Sequence, residues 1–171
     1  IVLALATFAI RVPYLSSIEG IFGGDAFNYL TKAQALLEGK DPFASDPRKG
    51  PLFSALLIPG FFTEDPLLWS RLVSMIAATG AVVVLSFIGR ELKMSWGAAL
   101  AAAAVLAVNQ DFIWESPNAL ANTLYIFLIL ASLLAYLRGT SRRAQWALVV
   151  LVGLTFLTRY EGGLLAVILL P

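Results

Sequence analysis

The apolar run over residues 67–88, "LLWSRLVSMIAATGAVVVLSFI", constrains this chain more than any other feature. It matches the roughly 20 residues an α-helix needs to cross a hydrocarbon core, and only Arg71, near its start, interrupts it. Further apolar stretches follow. Residues 96–108 are alanine-rich, which suits close helix packing inside a bundle. Residues 117–137 are apolar almost all round and carry Pro117 at a first-turn position, with Ser116 as the expected N-cap. Residues 144–157 and 162–170 are each too short to span alone and are split by "TRYEGG", the pattern of one broken helix or a pair of half-spans. Residues 1–10 read as the tail of a further span that exits at the interface through Arg11, Val12, Pro13 and Tyr14.

The composition agrees: 59% of residues are hydrophobic and 13% charged, far from a soluble average. The expected class is all-α, a polytopic transmembrane helix bundle, with the chain read as one transmembrane domain over 1–171 and as part of a longer protein. A net charge of +1 with no basic face argues against nucleic-acid binding. The chain has no cysteine and no histidine, so thiolate and imidazole chemistry are absent. Any reaction runs on carboxylates, lysine, arginine, tyrosine or hydroxyls.

Charge placement predicts the topology. Arg90 and Lys93 lie in one short loop and Arg138, Arg142 and Arg143 in another two crossings later, so both are expected on the cytoplasmic side. The acidic loop "NQDFIWESP" and the long segment 12–66 then fall on the extracytoplasmic side, and residues 67–171 supply the spans. Within the long segment, a helical pattern begins at Asp25 after Gly23 and Gly24. It places Phe27, Leu30, Ala33 and Leu37 on one side and Asn28, Lys32 and Glu38 on the other, and ends at Gly39. Such a helix lies along the interface. A second apolar piece, 52–62, starts just after Pro51 and reads the same way.

Four places bear chemistry. Asp25 opens a helix at the water boundary, where a carboxylate either caps backbone N–H groups or takes a proton from a hydroxyl. Arg48 and Lys49 precede Pro51 and suit an anionic head group, or are solvated loop charges. Asp111 and Glu115 are four residues apart and are candidates for a divalent-cation site, with helix entry as the ordinary alternative. Arg159 and Glu161 interrupt apolar sequence, where ionisable groups are costly and need partners. Arg71 either snorkels to the outer boundary or points into the same cavity.

Taken together, "GGDAFNYLTKAQALLEGKDPF", "KGPL", the acidic loop leading into "SPNALANTLYIFLILASLLAYL", and "LTRYEGG" resemble the start of the GT-C superfamily of membrane glycosyltransferases. The likeness is to its protein-mannosyltransferase-like and aminoarabinose-transferase-like members, which use polyprenyl-phosphate sugars. The resemblance implies two membrane-parallel helices in the first outer loop, with Asp25 as the essential catalytic acid residue of that loop. It also implies Lys49 as a contact to the lipid phosphate, and Asp111 or Glu115 as the second-loop acid. Tyr29, Arg159 and Glu161 join Lys49 as substrate-binding candidates. A divalent cation is the one cofactor considered; membrane lipid and other membrane subunits are the further partners. The chain departs from many relatives in having Asp25-Ala26 for Asp-Glu and Lys49-Gly50-Pro51-Leu52 for Lys-Pro-Pro-Leu. The implied activity is inverting transfer of a sugar from polyprenyl phosphate to an acceptor hydroxyl at the extracytoplasmic face. The alternatives are a non-catalytic subunit of a membrane complex and a secondary transporter working around Arg159.

Overall fold

The computed structural model describes residues 1–17, 24–41, 49–139 and 141–169, and among them the chain is all-helical. The α-helices are α1 (Val2–Ser17), α2 (Gly24–Leu37), α3 (Pro51–Leu57), α4 (Pro66–Glu91), α5 (Trp96–Val108), α6 (Gln110–Glu115), α7 (Asn122–Leu137), α8 (Arg142–Thr158) and α9 (Leu164–Leu169). Among the described residues α4 is the one helix long and apolar enough to cross a membrane, and the pair α5–α6 meets the same test across a 60° bend.

Local chemistry sets the boundaries. Asp65 caps α4 by accepting from the Leu68 N–H at 2.9 Å, and Pro66 occupies the first turn, where no N–H is needed. At its far end Lys93 sits in the left-handed region (φ 62°). Its N–H reaches the Arg90 carbonyl while that of Met94 reaches Gly89, which closes the last turn. Gly39 (φ 67°) ends α2 through the same pair of bonds, from Gly39 to Leu36 and from Lys40 to Ala35, as its position in the sequence implies. Asn109 both ends α5 and caps α6, accepting from the Phe112 N–H at 2.9 Å, and so makes the bend.

α4 is the centre of the bundle, packed against α7, α5 and α1. Small residues allow the close approach: Ala78, Ala81 and Val82 of α4 meet Ala103 and Ala107 of α5 in one buried cluster. A Cβ on Gly89 would stand 2.7 Å from that of Ala99, and one on Gly80 would stand 2.9 Å from the Phe127 ring. A second cluster joins α2, α3, α4 and α7 through Tyr29, Phe53, Leu57, Ala77 and Leu124. Tyr29 meets Phe53 edge-on at 5.0 Å.

Three expectations change. The run over 117–137 begins as a helix at Asn122; residues Ser116–Asn118 form a 3-10 turn and Ala119 is left-handed (φ 56°). Ser116 is unavailable as a cap because its hydroxyl donates to the Phe112 carbonyl and accepts from Arg11 Nε. Arg11 is no interfacial exit residue: α1 continues through Pro13 to Ser17, and Arg11 is fully buried against α5 and α6. On α2 the inward face is Ala26, Tyr29, Lys32 and Ala33, while Phe27 and Leu37 are exposed, so Lys32 is on the buried side.

The helix ends fall into two groups. Arg71 donates to the Leu15 carbonyl at 2.9 Å and Ser74 to the Leu120 carbonyl at 3.2 Å, which gathers the end of α1 and the starts of α4 and α7. At the opposite end Arg138 pairs with Glu91 at 2.8 Å. The turns carrying Lys93 and Gly139 are therefore neighbours, far from α2 and α3.

Candidate functional site

Four separate segments converge at the end of the bundle that α2 and α3 cover. The first turn of α2 supplies Asp25 and the next supplies Tyr29. Lys49 comes from the residues before α3, Asn122 from the start of α7, and Arg159 and Glu161 from the break between α8 and α9. These six side chains, with Leu120 and Ala121, line a cavity of about 290 Å³.

Backbone geometry locks the cationic half. Lys49 and Arg159 form an isolated antiparallel β-bridge, with Arg159 extended (φ −148°, ψ 134°) where α8 stops. Gly50 makes this possible, since a Cβ there would fall 2.2 Å from the Leu157 carbonyl oxygen. Lys32, buried under the bridge, donates from Nζ to the Lys49 carbonyl at 2.6 Å. Gly162, in the 3-10 turn after Arg159, is as constrained: a Cβ would meet the Thr155 carbonyl at 2.7 Å, and its N–H closes the turn onto Arg159 O.

Lys49 Nζ lies 2.6 Å from Asp25 Oδ1 and 4.9 Å from the centre of the Tyr29 ring. The side chain of Lys49 is 14% exposed and that of Asp25 67%. Arg159 donates from Nη1 to Asn122 Oδ1 at 2.8 Å, stacks over Tyr125 at 5.6 Å, and has Nη2 3.6 Å from Glu161 Oε1. The Glu161 carboxyl is held below its ordinary range, chiefly by its own backbone N–H; burial opposes this, and Arg159 adds to the lowering. The cavity therefore presents two cations, two carboxylates, a phenol and an amide. Such a lining can pair with an anion through its cations and with hydroxyl groups through its carboxylates.

Of the residues singled out in the sequence, Asp25, Tyr29, Lys49, Arg159 and Glu161 share this one cavity. Asp111 and Glu115 do not line it; they lie on α6, with Asp111 exposed. No group of three or more Asp and Glu side chains able to hold a metal occurs among the described residues. Arg71 is turned toward α1 and not into the cavity. Arg48 lies outside the described residues, as do Gly23 and the acids Glu19 and Asp46. Sequence reasoning missed Asn122. Its polar amide at the head of the apolar run 122–137 was the available signal, but an Asn there is ordinarily a helix cap.

No family model, curated protein or solved structure matches the chain.

Proposed function

We propose that this chain carries the active site of a multi-pass membrane glycosyltransferase of the GT-C type, which moves a sugar from a polyprenyl phosphate to an acceptor hydroxyl. The observation that carries the reading is that Asp25, Lys49, Arg159 and Glu161, drawn from three separate segments, line one cavity. A packing role for each acid and base separately would not require them to meet. The extracytoplasmic placement rests on the basic turns: Lys93 and the Arg138–Glu91 pair lie at the end of the bundle opposite the cavity, which under the positive-inside rule puts the cavity outside.

In this reaction the acceptor oxygen attacks the anomeric carbon on the face opposite the lipid phosphate. The new C–O bond forms as the bond to the phosphate oxygen breaks, and that oxygen leaves with the electron pair, so the configuration inverts. Asp25 accepts the proton of the attacking hydroxyl. Lys49 and Arg159 stabilise the charge that gathers on the departing phosphate. A phosphate leaves without prior protonation, so the second proton-donating acid of a glycosidase is not needed.

The test is transfer from a polyprenyl-phosphate sugar by full-length protein in lipid. Asp25→Asn should abolish transfer while leaving thermal unfolding unchanged; turnover near that of the wild type would refute the role of Asp25.

A further inference from the structure

Lys49 faces two demands that cannot be met at once. Its ammonium is bonded to Asp25 at 2.6 Å, yet the reaction above, on which this inference rests, needs the same ammonium on the donor phosphate. We propose that Asp25 and the donor phosphate compete for Lys49, so that arrival of the phosphate is what releases Asp25 to act as a base. Donor binding then precedes productive binding of the acceptor.

Which partner moves follows from how each is held. Lys49 is fixed through its backbone by the bridge to Arg159 and by the bond from Lys32 to its carbonyl, and through its side chain by the Tyr29 ring. It is nearly enclosed. Asp25 sits in the first turn of α2 with most of its side chain in solvent. An exposed ion pair is weak, so the carboxylate yields readily. The other acid in the cavity stands off its cation, with Glu161 Oε1 3.6 Å from Arg159 Nη2, so the close contact that a phosphate has to replace is that of Asp25.

Charge balance gives the same answer. Among the described residues Asp25 pairs with Lys49 and Glu161 with Arg159, so an incoming anion has to compete with a carboxylate at either cation. A phosphate brings several acceptor oxygens, and charge-assisted bonds to it are stronger than the exposed pair that it replaces. Once displaced, the Asp25 carboxylate no longer has its charge compensated by Lys49 and can accept from the acceptor hydroxyl. Without donor, the pair also keeps the base from activating water.

The experiment is equilibrium binding of polyprenyl phosphate, without sugar, to the full-length protein in lipid nanodiscs, with inorganic phosphate as a parallel ligand. The proteins are the wild type, Asp25→Asn, Lys49→Gln and the double variant, each checked for an unchanged melting temperature; Asp25→Ser replaces Asp25→Asn should the latter unfold. Removing the competitor should tighten lipid-phosphate binding by about 3- to 10-fold, a gain of up to one factor of ten or about 1.4 kcal/mol. Lys49→Gln should weaken binding, and the gain from Asp25→Asn should vanish in the Lys49→Gln background. Wild-type binding with no gain in Asp25→Asn, or a gain that persists without Lys49, overturns the competition while leaving the lipid-donor reading intact. The same pattern with inorganic phosphate alone upholds the competition and overturns the lipid donor. Binding of neither ligand overturns both.

Discussion

Lys49 and Arg159 are joined by their backbones, not by their like-charged side chains, and this antiparallel bridge ties the approach to α3 to the end of α8. Two cations that would repel one another are thereby held on one cavity wall. The weakest point of the arrangement is the contact beside it, where Gly50 meets the Leu157 carbonyl. Gly50→Ala places a Cβ 2.2 Å from that oxygen, which is backbone and cannot rotate away. The variant should lose about 1–3 kcal/mol of stability. Thermal unfolding in detergent measures the loss, and the folded fraction should bind lipid phosphate more weakly than the wild type.

In the proposed reaction Asn122 would act through Arg159, whose guanidinium it holds. Asn122→Ala removes the 2.8 Å acceptor and leaves the guanidinium with Glu161 at 3.6 Å and the Tyr125 ring. Because Arg159 is partly exposed, the loss should be about 1 kcal/mol, or roughly fivefold in transfer rate. Asn122→Asp keeps the acceptor and should restore most of the rate; parallel assays of the two variants check this.

Arg11 is fully buried. It donates to Ser116 Oγ at 3.0 Å and to the Thr7 carbonyl at 2.7 Å, and its Nη2 has no hydrogen-bond partner among the described residues. A buried cation so matched is costly. Arg11→Met, which fills the same space, should melt at the wild-type temperature or above it. Arg11→Ala should lose about 2–4 kcal/mol through the cavity it leaves.

The chain contains no cysteine, so single cysteines report topology cleanly. Lys93, in the turn after α4, and Asp111, in the first turn of α6, are both exposed and lie at opposite ends of the bundle. With an impermeant maleimide on sealed, right-side-out membranes, Asp111→Cys should label and Lys93→Cys should label only after permeabilisation. The reverse pattern would put the cavity on the cytoplasmic side.

Glu161 gives a pH dependence of definite sign. Its folded carboxyl titrates below the ordinary value of 4.5, so its contribution is complete above that value and fades as pH falls through the lowered one. Glu161→Gln should therefore lower stability slightly at neutral pH, and its difference from the wild type should fade as pH falls below 4.5, which flattens the acid-side decline. Melting temperature followed across the acid range checks it, and the effect is small because the side chain is exposed.

The helices themselves were largely legible in the sequence. Their apolar runs, the Gly39 stop and the Pro51 start are local signals, and the boundaries of α2, α3 and α4 follow them. The exceptions share one cause. Ser116 does not cap, Arg11 does not exit and Lys32 does not face water, because each has a partner far away in the chain: Arg11 for Ser116, and the Lys49 carbonyl for Lys32. Periodicity weighs a side chain against solvent and takes no account of such partners.

The candidate site divides along the same line. Residue type and position drew attention to Asp25 as an acid at a helix start, to Lys49 as a cation before Pro51, and to Arg159 and Glu161 as charges in apolar sequence, where they are costly. That they share a cavity, that Asn122 joins them and that Asp111 and Glu115 do not was decided by tertiary structure. So was the pairing of Lys49 with Asp25 at 2.6 Å. The reason is physical: these neighbours are set by how α2, α3, α7 and α8 pack, and the close approach that packing requires at Gly50 and Gly162 leaves no periodic trace in the sequence.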